Sequence, residues 1–122
     1  MTYRLKVIDS FSAAHQLKGY KGKCENIHGH NFKVEIIVQG EKLDRTGMLL
    51  DFKLLKKLLA KILEQLDHKD LNQIPVFKKD NPSSENIARF IFQKLSPKLP
   101  LGIKLIEVCV WESETACASY QP

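Results

Sequence analysis

The fold is decided by residues 31–39, which read Asn-Phe-Lys-Val-Glu-Ile-Ile-Val-Gln. Successive side chains of a β-strand point to opposite faces, so apolar residues at every second position predict a strand with one buried face. That face consists of Phe32, Val34, Ile36 and Val38. Residues 3–13 show the same alternation, interrupted at Ile8 and Asp9, and predict an earlier strand.

The apolar period changes to that of a helix over residues 52–66, where leucine and isoleucine recur every three or four positions. Asp51 stands directly before this stretch and is a candidate N-cap, because its carboxylate can accept a free N–H of the first turn. Residues 67–82 are polar and contain two prolines. They predict a loop.

The last third of the chain predicts one more helix and two more strands. Ser83 or Ser84 can cap a helix that ends at Pro97. Residues 103–111 and 115–120 have the composition of strands. The order strand-strand-helix-helix-strand-strand predicts an α+β fold, with a mostly antiparallel sheet and two helices on one face.

No stretch of residues 1–122 has the composition of a linker, a low-complexity segment or an internal repeat, which predicts a single domain. The second face of the predicted sheet carries apolar side chains such as Ile8 and Ile37. A chain of this length has no further element to cover that face. We therefore expect self-association.

The composition narrows the function classes. The chain is 43% hydrophobic and 27% charged, which is typical of a globular protein and excludes disorder or a coiled coil as its main state. No apolar run approaches the length of a membrane helix. Residues 1–6 carry no apolar signal region, so we expect a cytoplasmic protein. The net charge of +5 favours an anionic partner, but one tryptophan and no dense basic block argue against nucleic acid.

Three histidines are placed to meet at one point. In an extended segment, His28 and His30 point the same way, because they are two residues apart. If the first two strands pair antiparallel, His15 at the end of one lies beside the start of the next. Three neutral imidazoles suit Zn²⁺ and leave its fourth position open, as in catalytic zinc sites. The alternative is a polar turn beside an ordinary strand end.

Four other residues can carry chemistry, each with a plainer alternative. Cys24 can be a fourth zinc ligand, which makes the site structural, or a base or nucleophile activated by the cation. Asp67 and His68 can form a proton-relay pair or a solvated helix end. Glu112 can accept two N–H groups of a heterocycle or be an ordinary strand-end charge. The three cysteines, an odd number, favour thiols over disulfides.

Six segments together resemble the 6-pyruvoyltetrahydropterin synthase / 6-carboxytetrahydropterin synthase family, in the same order along nearly the whole chain. They are Phe-Ser-Ala-Ala-His (11–15), Cys-Glu-Asn-Ile-His-Gly-His (24–30), Gly-Met-Leu-Leu-Asp-Phe (47–52), Leu-Asp-His-x-x-Leu-Asn (66–72), Asn-Pro-Ser-Ser-Glu-Asn (81–86) and Trp-Glu-Ser-Glu-Thr-Ala (111–116).

The resemblance implies a tunnelling fold that assembles as a hexamer of two stacked trimers. It implies zinc held by His15, His28 and His30, and 7,8-dihydroneopterin triphosphate as the substrate. Cys24 would be the proton acceptor, with Asp67 and His68 as its relay. Glu112 would anchor the pterin ring and belong to the relay. The site would lie between subunits, so that His68 serves a neighbour's Cys24.

The short Cys-x-x-x-His spacing resembles the 6-carboxytetrahydropterin synthases of queuosine biosynthesis, which release acetaldehyde and triphosphate. The longer spacing of the animal pyruvoyl enzymes is absent. Glu25 resembles the glutamate of a subgroup that cleaves the same substrate to 6-hydroxymethyl-7,8-dihydropterin for folate. The chain carries both Cys24 and Glu25, as a dual-type subgroup does. Alternatives from other classes are a non-catalytic zinc-stabilised binding module and, on charge alone, a nucleic-acid binder.

Overall fold

The structure, a computed structural model, describes residues 1–19 and 26–122. Two long strands, β1 (Tyr3–His15) and β2 (His28–Gly40), pair antiparallel over their whole length. Both are longer than predicted. The alternation of β1 continues through the expected interruption, with Asp9 on the inner face and Ile8 on the outer one, and both strands extend into the histidine segments.

Three shorter strands complete the sheet in the described part of the chain: β3 (Lys69–Asp70), β4 (Lys104–Ser113) and β5 (Ala116–Tyr120). The strand order is β3-β1-β2-β4-β5. All pairs are antiparallel except β3 with β1. The sheet is therefore mostly antiparallel, as predicted, with one short parallel pair at this edge. A strand of two residues shows no periodicity, so β3 could not be predicted from the apolar pattern.

Both predicted long helices are present, as α1 (Phe52–Leu63) and α3 (Ser84–Leu95). Asp51 accepts the N–H of Lys53, which confirms it as the N-cap of α1. Ser83, rather than Ser84, caps α3 by accepting a backbone N–H. Each cap satisfies a donor that has no partner inside its helix.

The expectation of an unbroken loop over 67–82 is wrong. This stretch contains β3, a 3₁₀ turn at Leu71–Gln73 and a short helix, α2 (Pro75–Lys79). Pro75 is the first residue of α2, a position where its missing N–H costs nothing and its fixed φ suits a helix. The helix predicted over residues 52–66 is shorter than expected, because α1 ends at Leu63. Leu66 is nevertheless fully buried.

The core lies between the inner face of the sheet and the two long helices, as predicted. Buried strand residues such as Val34 and Val108 belong to one cluster with Leu59 of α1 and Ile91 of α3. The outer face carries no helix in the described part of the chain. Ion pairs cross it, and Ile8 is 49% exposed there. No helix of the described residues is long and apolar enough to cross a membrane.

Candidate metal centre

The three histidines meet at the end of the β1–β2 ladder. His15 lies directly opposite His28 in the antiparallel register, and His30 is two residues further along β2 on the same face. The ring centroids of His15 lie 4.8 Å from those of His28 and 5.2 Å from those of His30, and His28 and His30 are 4.8 Å apart. The prediction that the three imidazole rings lie close together is confirmed.

Backbone carbonyls fix the orientation of two of the rings. His15 Nδ1 lies 2.7 Å from the carbonyl oxygen of Pro82, and His28 Nδ1 lies 2.9 Å from that of Asn26. A carbonyl oxygen only accepts, so each Nδ1 carries the proton and donates it. The lone pair of each ring therefore resides on Nε2, which is the arrangement that metal-binding histidines show.

These residues fit a metal ion. His15 is 1% exposed, and its Nε2 makes no hydrogen bond within the described residues. A buried polar atom without a partner is costly, and a cation would satisfy it. His15, His28, His30 and Glu112 each offer a ligand atom, and these atoms lie within 4.8 Å of one another. Imidazole nitrogen and carboxylate oxygen both suit zinc.

Glu112 lies in this cluster rather than beside it. Its Oε1 is 3.1 Å from His15 Nε2 and 3.0 Å from His30 Nε2, and its side chain is 40% exposed. It also lines a small cavity of about 170 Å³ between the start of α3 and β5. The other lining residues are Ser84, Glu85, Ala116, Cys117 and Ala118.

Sequence reasoning missed Ser84 and Glu85 as candidate site residues. Glu85 stands in the first turn of α3, where an acidic residue is ordinarily explained by the helix dipole. In the structure it lines the same cavity as Glu112, although the two are far apart in sequence. The packing of α3 against β5 brings them together. The one signal in the sequence is that residues 81–86 belong to a segment that resembles the family.

Asp67 and His68 form a hydrogen-bonded pair. His68 Nδ1 lies 2.9 Å from Asp67 Oδ2. Adjacent side chains often point apart, but His68 has a left-handed φ of 56°, which changes the direction of the chain at this position. The pKa of Asp67 is lowered, first by the backbone N–H of Ser12 that its carboxylate accepts and then by His68. An ionised Asp67 fixes the tautomer of His68.

His68 lines an open cavity at the edge of the sheet, where outer-face residues of β1 and β2 such as Ser12 and Asn31 also contribute. His30 and His68 line the same cavity, which has a volume of about 540 Å³. His68 is exposed over 82% of its side chain. The other residues that line this cavity are Ser12, Ala13, Ala14, Gly29, Asn31, Lys69 and Asp70. Cys24 and Glu25 lie outside the described residues.

The family model described as 6-pyruvoyl tetrahydropterin synthase matches residues 4–122. The chain belongs to the 6-pyruvoyl tetrahydropterin synthase family. The six matching segments had indicated this family, and the structure has its tunnelling fold. The solved structure of 6-pyruvoyl tetrahydropterin synthase from Caenorhabditis elegans superposes with a TM-score of 0.87 at 31% identity, covering 100% of this chain and 96% of that one.

Relatives within the 6-pyruvoyl tetrahydropterin synthase family carry different names. A dihydroneopterin monophosphate aldolase of Pyrococcus furiosus is 40% identical over 103 residues, which are 84% of this chain and 83% of the relative. A 6-carboxy-5,6,7,8-tetrahydropterin synthase of Synechocystis is 39% identical over 116 residues, which are 91% of this chain and 87% of the relative. Membership of the family therefore does not by itself identify the product of the reaction.

Proposed function

We propose that this protein is a zinc-dependent lyase that converts 7,8-dihydroneopterin triphosphate to 6-carboxy-5,6,7,8-tetrahydropterin, with release of acetaldehyde and triphosphate, in queuosine biosynthesis. The observation that carries the proposal is the convergence of His15, His28 and His30 at the end of the β1–β2 ladder, with Glu112 beside them. The Synechocystis relative, which bears the name of this activity, supports it.

The three histidines would hold the zinc ion through Nε2. Their Nδ1 protons already point to backbone carbonyls in two of the three cases, so the rings are oriented before any metal binds. Zinc held there would supply Lewis-acid chemistry, namely polarisation of an oxygen of the substrate side chain. Cys24, four residues before His28, would then not be needed as a ligand and is available for proton transfer.

Proton transfer falls to Cys24 together with the pair of Asp67 and His68. The carboxylate of Asp67 holds the Nδ1 proton of His68, which leaves Nε2 of His68 able to accept a proton and return it. A thiol near a cation titrates closer to neutrality than a free thiol, so Cys24 can also take and give back a proton. The role of Cys24 in proton transfer is inferred from the sequence motif Cys-Glu-Asn-Ile-His-Gly-His (24–30).

Glu112 and the net charge bear on substrate binding. The carboxylate of Glu112 lines the small cavity and can accept two N–H groups from the pyrimidine edge of a pterin ring. The formal net charge of +5 favours a polyanionic substrate such as a triphosphate. The site would be completed by a neighbouring subunit in a hexamer of two trimers, with His68 of one chain serving Cys24 of the next.

A second candidate function is cleavage of the side chain to 6-hydroxymethyl-7,8-dihydropterin. The aldolase name of the Pyrococcus furiosus relative favours it, as does Glu25, whose carboxylate can deprotonate a substrate hydroxyl directly. Formation of 6-pyruvoyltetrahydropterin is the third outcome within the family. A non-catalytic zinc module would bind the metal and turn over none of these substrates.

Product analysis tests the proposal. Zinc-loaded protein is incubated with 7,8-dihydroneopterin triphosphate, and the pterin products and acetaldehyde are quantified by liquid chromatography and mass spectrometry. We expect 6-carboxy-5,6,7,8-tetrahydropterin and acetaldehyde in equal amounts. The Cys24→Ala variant should lose this product and retain zinc, and Glu25→Ala should keep it. A wild-type protein that makes mainly the hydroxymethyl product would replace the first candidate with the second.

A further inference from the structure

We propose that the end of the sheet farthest from the histidines docks an acidic, amphipathic segment of a partner protein. The docking surface is formed by residues 42–61, which are the loop after β2 and most of α1. This loop–α1 surface combines exposed apolar side chains around a cavity with a group of exposed cations. It lies outside the metal centre, so the proposal does not depend on the reaction catalysed there.

The loop–α1 surface and the metal centre are at opposite ends of the β1–β2 ladder. Tyr3 pairs with Gly40 at one end, and His15 pairs with His28 at the other. A strand rises about 3.3 Å per residue, so the two ends are about 40 Å apart. Tyr3 lines the cavity of the loop–α1 surface. A partner bound at this end leaves the metal centre accessible to substrate.

Exposed apolar side chains are concentrated on the loop–α1 surface. Nine large apolar side chains are exposed in the described residues, and four of them lie between positions 43 and 54. These are Leu43, Met48, Phe52 and Leu54, which are 40%, 42%, 52% and 41% exposed. Single exposed apolar residues are ordinary, but a group of them at one place is typical of an interaction site.

Three of these side chains surround a cavity. Leu43, Met48 and Phe52 line a space of about 240 Å³, and Leu49 and Leu50 also belong to its wall. A cavity of this kind admits a large apolar side chain, which is how the anchor residue of an interface binds. A side chain that projects from a helix fills such a concavity, which favours a protein segment over a membrane surface.

The loop that carries Leu43 and Met48 is held in one shape by its own hydrogen bonds. The carboxylate of Asp44 accepts the backbone N–H groups of Thr46 and Met48, at 2.8 and 3.1 Å, and the hydroxyl of Thr46. Gly47 has a φ of 84°, which glycine adopts without steric cost. A surface that is already ordered loses less conformational entropy when a partner binds.

The positive charge of the chain is concentrated on the same surface. Residues 42–61 contain six lysines and arginines and two aspartates, so they carry +4 of the formal net charge of +5. Both carboxylates, those of Asp44 and Asp51, accept hydrogen bonds from the segment itself. All six cations are exposed, and none forms an ion pair within the described residues. The six are Lys42, Arg45, Lys53, Lys56, Lys57 and Lys61.

The pattern of charge and apolar surface defines the partner. Cations around an apolar cavity are complementary to a segment that has acidic residues on one face and an apolar anchor on the other. Nucleic acid would satisfy the cations but would leave the exposed apolar side chains in water. Two copies of the loop–α1 surface would repel each other, because each carries the same positive charge. A symmetric contact between two copies is therefore disfavoured.

A designed peptide serves as the probe. It is a fluorescein-labelled amphipathic helix with glutamates on one face and tryptophan and leucine on the other, and fluorescence anisotropy follows its binding to the full, zinc-loaded chain. We expect saturable binding that weakens as salt is added, because exposed charges are screened. Two control peptides, one with lysine in place of glutamate and one with serine in place of the apolar residues, should bind at least about 10-fold more weakly.

Two variants locate the peptide on the loop–α1 surface. Phe52→Ala removes part of the cavity wall. The double variant Lys53→Glu/Lys56→Glu reverses two charges on the same helix, one and four positions after Phe52. Each should raise the dissociation constant of the acidic peptide at least about 10-fold. All three side chains are exposed, so urea unfolding should show that both variants keep the fold.

The matched controls lie on α2. Val76→Ala truncates an apolar side chain that is 42% exposed. Lys78→Glu/Lys79→Glu reverses two exposed charges. Both controls should bind the acidic peptide as tightly as wild type does, because neither touches the loop–α1 surface. Zinc content and turnover should be unchanged in all four variants.

Four results would overturn the proposal. The first is equal affinity for the acidic and the lysine peptide, and the second is wild-type affinity in the Phe52 and lysine variants. The third is binding to phosphatidylglycerol vesicles that these variants abolish, which would assign the surface to lipid. The fourth is slower sedimentation of these variants without peptide, which would make the surface a subunit contact. A wild type that binds the peptide but forms no carboxytetrahydropterin would overturn only the proposed reaction.

Discussion

Asp67 Oδ1 accepts the backbone N–H of Ser12 at 2.9 Å. The backbone N–H of His68 donates in return to the carbonyl oxygen of Ser12 at 2.6 Å. These two bonds attach the turn after α1 to the edge of β1, three residues before His15. One carboxylate oxygen of Asp67 is thus held by the sheet, and the other is left for His68. The proposed relay is positioned by the same strand that carries a proposed metal ligand.

Asp67→Asn should lower kcat for carboxytetrahydropterin formation by about 10²-fold or more, because acid–base groups contribute factors of this size. An amide at this position no longer selects the Nδ1-protonated tautomer of His68. Steady-state kinetics measure the loss, and metal content should stay at the wild-type level. Asp80→Asn, an exposed aspartate of the following segment, is the control. Wild-type kcat in Asp67→Asn would remove Asp67 from the relay.

The lowered pKa of Asp67 also predicts a pH dependence of stability. The folded pKa lies below the ordinary value of 3.8, because the N–H of Ser12 stabilises the carboxylate. Its contribution to the free energy of unfolding is complete above the unfolded pKa and is lost as the pH falls through the folded one. From about pH 4 downward, the urea midpoint should fall more steeply in wild type than in Asp67→Asn. Parallel curves would contradict this.

Features that produce a periodic apolar pattern could be predicted from the sequence. Side-chain positions that depend on a few backbone angles could not. Alternation in the first two strands is enough to place His15 opposite His28, because an antiparallel pair joins the end of one strand to the start of the next. The contact of Asp67 with His68 needs a left-handed φ, and the location of Glu112 needs an irregularity in β4. Neither leaves a periodic pattern in the sequence.

Phe32→Ala should weaken both the fold and the metal centre. Phe32 is fully buried, stacks on Phe11 at 4.9 Å, and has the rings of His15 and His30 at 5.4 and 5.5 Å. Removal of a buried phenylalanine costs about 3–5 kcal/mol. The cavity also frees two imidazoles to rotate, so metal affinity should fall.

Phe77→Ala is the matched control for Phe32→Ala. Phe77 is buried to a similar degree and pairs with Phe90 at 5.6 Å, away from the histidines. Urea unfolding should show a comparable loss of stability in both variants, whereas the metal dissociation constant should change only in Phe32→Ala. Equal metal affinity in the two variants would show that packing by Phe32 does not position the imidazoles.

Ser83→Ala should lower the free energy of unfolding by about 1 kcal/mol, since it removes the N-cap of α3. The preceding Pro82 supplies the carbonyl that orients His15, so metal affinity should fall slightly as well. Ser96→Ala is the control, because Ser96 is exposed at the other end of α3 and its side chain caps nothing. Urea midpoints that are the same for both variants would contradict the capping role.

The outer face of the sheet is the surface on which we expect the subunits of the proposed hexamer to pack. Ile8 is 49% exposed in the middle of β1, on the face that carries no helix in the described residues, whereas Leu101 is fully exposed at a turn. Ile8→Glu places a charge in the expected subunit interface and should convert hexamers to smaller species in sedimentation experiments. Leu101→Glu adds the same charge and should leave the hexamer intact. A wild type that sediments as an active monomer would contradict the assembly.

Mixing two inactive variants tests whether the site is shared between those subunits. His15→Ala removes a proposed metal ligand, and His68→Ala removes the proposed relay. If His68 serves the cluster of a neighbouring chain, a mixed hexamer contains about a quarter of sites in which both residues are intact. Unfolding and refolding the two variants together should therefore recover a corresponding share of wild-type activity. If each site is built within one chain, every site lacks one residue and no activity returns. His15→Ala and His68→Ala refolded separately give the background for this comparison.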